Sequence, residues 1–121
     1  MKEIFTVLDK DNIPVTLSSE VWYHKLMHPI FGHLEVKPYL EEIKETIKNP
    51  DFIYRSIKDI RVQLLYKKGL IKGKYAHCYI LAVVKYVEEV EGKHGYVSTI
   101  MIPNNVKRKG GLLWKKSNDL F

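Results

Sequence analysis

The 121 residues include a single cysteine, Cys78, so no internal disulfide can form and packing alone must hold the chain together. No apolar run approaches the ~20 residues a membrane-spanning helix needs; the longest, from Cys78 to Val84, has the length of a strand. There is no signal-peptide pattern, internal repeat or low-complexity segment. These shortages point to a reducing, cytoplasmic setting and away from the membrane. Cys78 lies inside the run AHCYILAVV, which reads as an inert buried thiol rather than a nucleophile. Metal ligands are also scarce. His24 and His28 stand one helical turn apart with His33 nearby, the spacing of a three-imidazole site. No HExxH frame or neighbouring cysteine supports it, and Pro29 closes the turn that holds His28. The reading is no metal and no cofactor.

Acids are missing from two stretches. From Arg55 to Lys74 seven bases face one acid, Asp59, and from Asn104 to Lys116 five bases face none. Between Glu35 and Asp51, by contrast, five acids accompany three bases. A formal net charge of +6 spread this unevenly gives a surface that attracts polyanions, although a solubilising surface is the plain alternative.

What is present suits one domain spanning residues 1–121. Apolar residues at 45% and charged residues at 28% fit a globular chain long enough to bury a core. Residues 3–17 read as a hairpin, with a strand at 4–8, turn chemistry at 9–12 and a return at 14–17. Ser18 or Ser19 suits the cap of a short helix running to about Met27, on which Trp22 and Leu26 share a face. A second helix starts near Val36. Pro38 fits its first turn, Tyr39, Leu40, Ile43 and Ile47 recur at helical spacing, and Asn49-Pro50 ends it with a left-handed cap. The period then changes to two. Strands are expected at 52–57, 61–67, 75–87 and 96–102, the third central because it is nearly continuously apolar. Gly69–Gly73 and Gly92–Gly95 are the turns between them. The expected architecture is α+β, an N-terminal hairpin and two helices on an antiparallel four-stranded meander.

Candidate chemistry needs several of these strands together. Ser56 and Arg61 flank the first strand turn, Tyr66 sits in the second strand, and Ser98 and Thr99 lie in the fourth. Lys85 interrupts the apolar third strand, where a lysine must reach for water, protect an edge or serve an anion. Histidine with Arg, Lys, Tyr and hydroxyls, and without a carboxylate pair, suits metal-free RNA cleavage. A base takes the ribose 2′-OH proton, cations hold the phosphate oxygens and an acid protonates the leaving oxygen. DNA lacks that hydroxyl. Trp22, Tyr66 or Trp114 has the shape to stack on bases.

The series Trp22-x-His24, His33-Leu34-Glu35-Val36, Leu40-x-x-Ile43-x-x-Thr46-Ile47-x-x-Pro50-Asp51-x-Ile53-x-x-Ser56 resembles the phage-Barnase-EndoU-Colicin-RelE-like nucleases, small prokaryotic and phage domains. Arg61-x-x-x-x-Tyr66, Tyr75, Val83-Val84-Lys85, Val97-x-Thr99 and Leu113-Trp114-Lys115 are similar to the same group. That family commonly carries a His-Pro-Glu triplet. Here His28-Pro29 lacks the Glu, and His33-Leu34-Glu35 lacks the Pro, with distance to the helix favouring His33. The resemblance implies a barnase- or RelE-like fold and a toxin-like, metal-independent endoribonuclease, with RNA as substrate and an antitoxin protein as a potential partner. His33 becomes the base or acid, Arg61 and Lys85 the phosphate clamps, and Tyr66 and Thr99 supporting hydrogen-bonders. Arg55, Ser56, Lys67, Lys107, Lys109 and Trp114 are the expected RNA-binding residues. A non-catalytic RNA-binding module and a protein-interaction domain are the alternatives.

Overall fold

The first hairpin forms where it is expected. In a computed structural model that describes residues 2–117, β1 (Glu3–Leu8) and β2 (Pro14–Ser18) pair antiparallel, with Phe5, Val15 and Leu17 turned to the core. The turn is held by Asp9, whose Oδ1 accepts the N–H groups of Asp11 (2.8 Å) and Ile13 (3.0 Å), while Asn12 takes a left-handed φ of 63°.

Ser18 then caps the expected short helix, its Oγ accepting the Val21 N–H at 3.1 Å. The segment Val21–Leu26 is wound as a π-helix, and the Met27 N–H reaches back five residues to the Trp22 carbonyl. The second helix is shorter than its periodicity promised. Pro38 can donate no hydrogen bond and restricts Lys37, so Leu34–Tyr39 winds as a 3-10 helix and α1 runs only from Leu40 to Lys48. It buries Ile43, Thr46 and Ile47. Asn49 ends it with an extended φ of −138° rather than the left-handed cap.

The remaining strands are β3 (Phe52–Arg55), β4 (Val62–Lys68), β5 (Tyr79–Glu89), β6 (Gly92–Met101) and β7 (Leu112–Lys115). The fold is α+β, but the sheet has seven strands in the order β1-β2-β6-β5-β4-β3-β7 rather than four. Strands β3 to β6 do follow one another antiparallel, with β5 in the middle as its apolar content predicts. Two additions change the topology. The hairpin joins the sheet through a parallel pair, β2 with β6, and the tail supplies β7 against β3. The parallel pair depends on Gly95, where a Cβ would lie 2.8–3.0 Å from side chains of Val84, Tyr86 and Val15. Gly92–Gly95, expected as a turn, is therefore the first part of β6.

Helices cover one face of this sheet. Trp22, Leu26, Val36, Ile43 and Ile47 pack on Phe5, Val15, Leu17, Ile53, Leu65, Ile80, Ala82 and Val84. The opposite face carries a second, smaller cluster, Tyr54, Tyr66 and Leu81, with Phe52, Leu64, Tyr79, Val83, Met101 and Val106 around it. Cys78 is buried, its Sγ directed at Asn104 Oδ1 (3.0 Å). No helix among the described residues is long and apolar enough to cross a membrane.

Candidate nucleic-acid interface

The segment 103–111 crosses the open face as a strap, and three anchors hold it. Tyr79 donates its N–H to the Pro103 carbonyl (2.9 Å), the Tyr66 hydroxyl accepts the Lys107 N–H (3.0 Å), and Arg55 N–H binds the Gly111 carbonyl (3.0 Å). Gly110 lies flat on β3, where a Cβ would overlap the Arg55 carbonyl oxygen. Val106 packs into the aromatic cluster beneath.

Between this strap and the end of β3 runs a groove of about 500 Å³. Leu64, Val106 and Ile57 give it apolar surface, and Lys58, Lys107, Arg108 and Lys109 give it positive charge, with Ser56, Gly110 and the Arg55 backbone completing the lining, while the Arg55 side chain, paired with Gln63, leaves β3 toward the helix side. No acid lines it. Among the described residues none of these four cations is in an ion pair.

Three of the residues expected to bind RNA, Ser56, Lys107 and Lys109, thus come together, the fold adds Lys58 and Arg108, and Arg55 contributes its backbone only. Two do not join them. Lys67 Nζ donates to the Asn49 carbonyl (2.7 Å) and approaches Asp51 Oδ1 (3.4 Å), tying β4 to the end of α1. Trp114 pairs with Ile53 and packs with the helix-side core, where the Lys10 ammonium sits 4.9 Å from its ring.

The expected catalytic set disperses. Tyr66 has no exposed surface, and its hydroxyl is occupied by the strap; burial pushes its pKa up. Arg61 folds onto Asp59, its Nε and Nη2 each 3.1 Å from the carboxylate. These hydrogen bonds, with a further contribution from Lys85, hold the Asp59 carboxyl below its ordinary range. Lys85 projects from the open face, paired across to Val62 and Tyr96, and Thr99 shares that face opposite Val83. His33 belongs to the helical layer. Its N–H binds the Leu26 carbonyl (2.8 Å), its ring meets Glu35 (3.2 Å), and the sheet separates it from Lys85 and Thr99. His28 is no substitute, because its Nδ1 accepts the N–H groups of Ile30 and Phe31 at 3.1 Å each. Among the described residues no three His, Cys, Asp or Glu side chains gather as metal ligands.

Comparison with family models, with curated proteins and with solved structures finds no match in any of the three. Function therefore has to be argued from the groove and the face beside it.

That face holds an imidazole absent from the expected set. His94 and Tyr96 stack with ring centroids 4.5 Å apart, and His94 Nε2 lies 2.8 Å from the Thr16 hydroxyl. Thr16 is in turn 2.8 Å from the hydroxyl of Thr6. The Tyr96 hydroxyl donates to Glu89 Oε2 (2.7 Å), which raises the Tyr96 pKa, and Glu89 Oε1 lies 3.9 Å from His94 Nδ1. Tyr96 is the cross-strand partner of Lys85. On β5 the partner of His94 is Val87 and the partner of Leu64 is Val83, so an offset of ~13 Å along the strands adds to ~10 Å across them and His94 stands roughly 16 Å from the groove floor. The open face thus carries an anion clamp and, further along the sheet, a carboxylate, an imidazole, a phenol and an ammonium.

Proposed function

We propose that this domain binds RNA, with the groove between the strap and β3 as the seat of the phosphate backbone. The observation that carries this reading is a cluster of four cations without ion-pair partners around an apolar floor, three of them on a strap anchored by hydrogen bonds. Cations that are already positioned lose little freedom on meeting phosphate, and each releases counterions when it does. The choice of RNA over DNA draws on the likeness of Trp22-x-His24 and His33–Ser56 to nucleases that need a ribose 2′-OH. Immobilised RNA retains the protein at low salt and releases it as salt rises if the proposal is correct. Retention of DNA and RNA to equal extent removes the preference for RNA, and passage through the column at low salt removes the proposal.

A second reading, metal-independent RNA cleavage of the toxin-like kind, is favoured by one observation. The open face does carry an imidazole beside a carboxylate and Lys85, although it is that of His94 and not His33. On this reading His94 or Glu89 exchanges protons with the ribose and the leaving oxygen, and Lys85 holds the phosphate. Purified protein then cleaves RNA in EDTA, His94→Ala loses that activity and His33→Ala keeps it. Activity lost in His33→Ala and retained in His94→Ala would sink this assignment. A protein inhibitor of such an enzyme would need an acidic surface to cover the groove.

A further inference from the structure

The groove is not uniformly polar, and that is informative about its ligand. Four cations form its rims, Lys58 on one side and Lys107, Arg108 and Lys109 on the other, yet Leu64 and Val106 make its floor and Ile57, 67% exposed, stands at its side. A phosphate backbone by itself has no use for that floor. A nucleobase does, because its faces are apolar while the phosphates on either side of it are charged. In a duplex those faces are stacked inside, and a protein meets the backbone, 2′-hydroxyls and base edges instead. The volume of about 500 Å³ is that of a pocket for one small ligand, in keeping with one nucleotide unit and not with a helix.

We infer that the groove accepts a single unpaired nucleotide, base on the Leu64–Val106–Ile57 floor and flanking phosphates on the two basic rims, so that the domain selects single-stranded RNA over duplex. This rests on the RNA-binding reading above. The selection follows from geometry at both rims. Gly110 pressed on the Arg55 carbonyl and Lys107 tied to Tyr66 keep the strap from rising to admit a wider ligand. The apolar floor then adds affinity only for a strand that can turn a base toward it.

The test uses the full chain and three probes compared at equal phosphate concentration: a 12-nucleotide single-stranded RNA, the duplex of the same sequence, and inorganic polyphosphate, which has no bases. Fluorescence anisotropy of labelled RNA, with polyphosphate as competitor, reads all three. The expected result is single-strand affinity at least about tenfold above duplex. Ile57→Ser, at a site exposed enough to leave folding intact, lowers the single-strand affinity about fivefold and leaves duplex and polyphosphate binding unchanged. Equal affinity for single strand and duplex, or an equal loss for all three probes in Ile57→Ser, overturns the inference while leaving RNA binding standing. Failure of all three probes to bind at low salt overturns both.

Discussion

Replacing Tyr66 by Phe separates a catalytic hydroxyl from an anchoring one. The ring lies edge-on to Tyr54 (6.2 Å) and Tyr79 (6.0 Å), contacts that phenylalanine keeps, so the change removes a single oxygen that accepts the Lys107 N–H at 3.0 Å. A neutral hydrogen bond contributes about 1 kcal/mol net, and the larger cost of a stranded donor does not apply, because Lys107 is exposed and its amide can turn to water. The expected loss is therefore about 1 kcal/mol, or about 4 °C in Tm for a chain of this size. It falls on the strap first. Opening of segment 103–111 becomes easier by the same amount, so amide exchange at Lys107 accelerates about fivefold at pH 7 while exchange in β5 follows only the global change. RNA affinity declines two- to threefold at most, since the cations remain and only their preorganisation suffers. Calorimetry and residue-resolved exchange measure both effects. If Tyr66→Phe instead abolishes an RNA-dependent activity with Tm and Lys107 exchange unaltered, the hydroxyl meets RNA and the anchoring argument is wrong.

Other consequences are open to measurement. The Tyr86 hydroxyl donates to buried Asp9 at 2.7 Å, and burial together with that carboxylate pushes its pKa far above the usual 10. Below pH 10 both folded and unfolded chains keep the phenol proton; above it the unfolded chain releases its proton first, so stability is full below pH 10 and falls as pH rises beyond it. Tyr86→Phe should cost about 2 kcal/mol at pH 7, because a charged acceptor loses its donor, and should flatten the alkaline decline measured by urea titration. A Tyr86→Phe curve parallel to the parent above pH 10 contradicts this. For the groove, binding to a single strand loses about 0.7 in log K per log salt for each phosphate contact, so four cations set a limiting slope of about −2.8. Lys107→Ala with Lys109→Ala should reduce its magnitude by about 1.4, and an unchanged slope would place the phosphates elsewhere.

The elements that local chemistry decides were legible in the sequence. The Asp9–Asn12 turn, the Ser18 cap, the Ile43–Ile47 stripe and the central apolar strand all appear where residue type and spacing put them. The basic groove was half legible. Charge counts picked out both stretches, but only the β3–β7 pairing, a contact between residues some 60 positions apart, makes them one site. The four residues Leu112–Lys115 have two leucines and a tryptophan and could equally have packed as a loop, so nothing local marks them as a strand. Lys67 and Trp114 show the opposite failure. Each had the right chemistry, and strand parity turned each to the helix side of the sheet.

The same parity argument explains why His94 escaped notice and His33 drew it. His33 precedes a well-marked helix and sits beside a glutamate, signals that a sequence displays openly. His94 lies among glycines that read as a turn, because Gly92 and Gly95 flank it within four residues. Even with β6 extended through that stretch, simple alternation counted back from Thr99 would send Tyr96 and His94 to the helical face. They reach the open face because Ser98 is an extra residue: pairing passes from Val83–Thr99 to Val84–Val97 across it, and every side chain before the bulge changes sides. The bulge is itself held, by the Lys25 ammonium on the Ser98 carbonyl at 2.6 Å. A helical-layer lysine thus helps to fix which side of the sheet carries the imidazole.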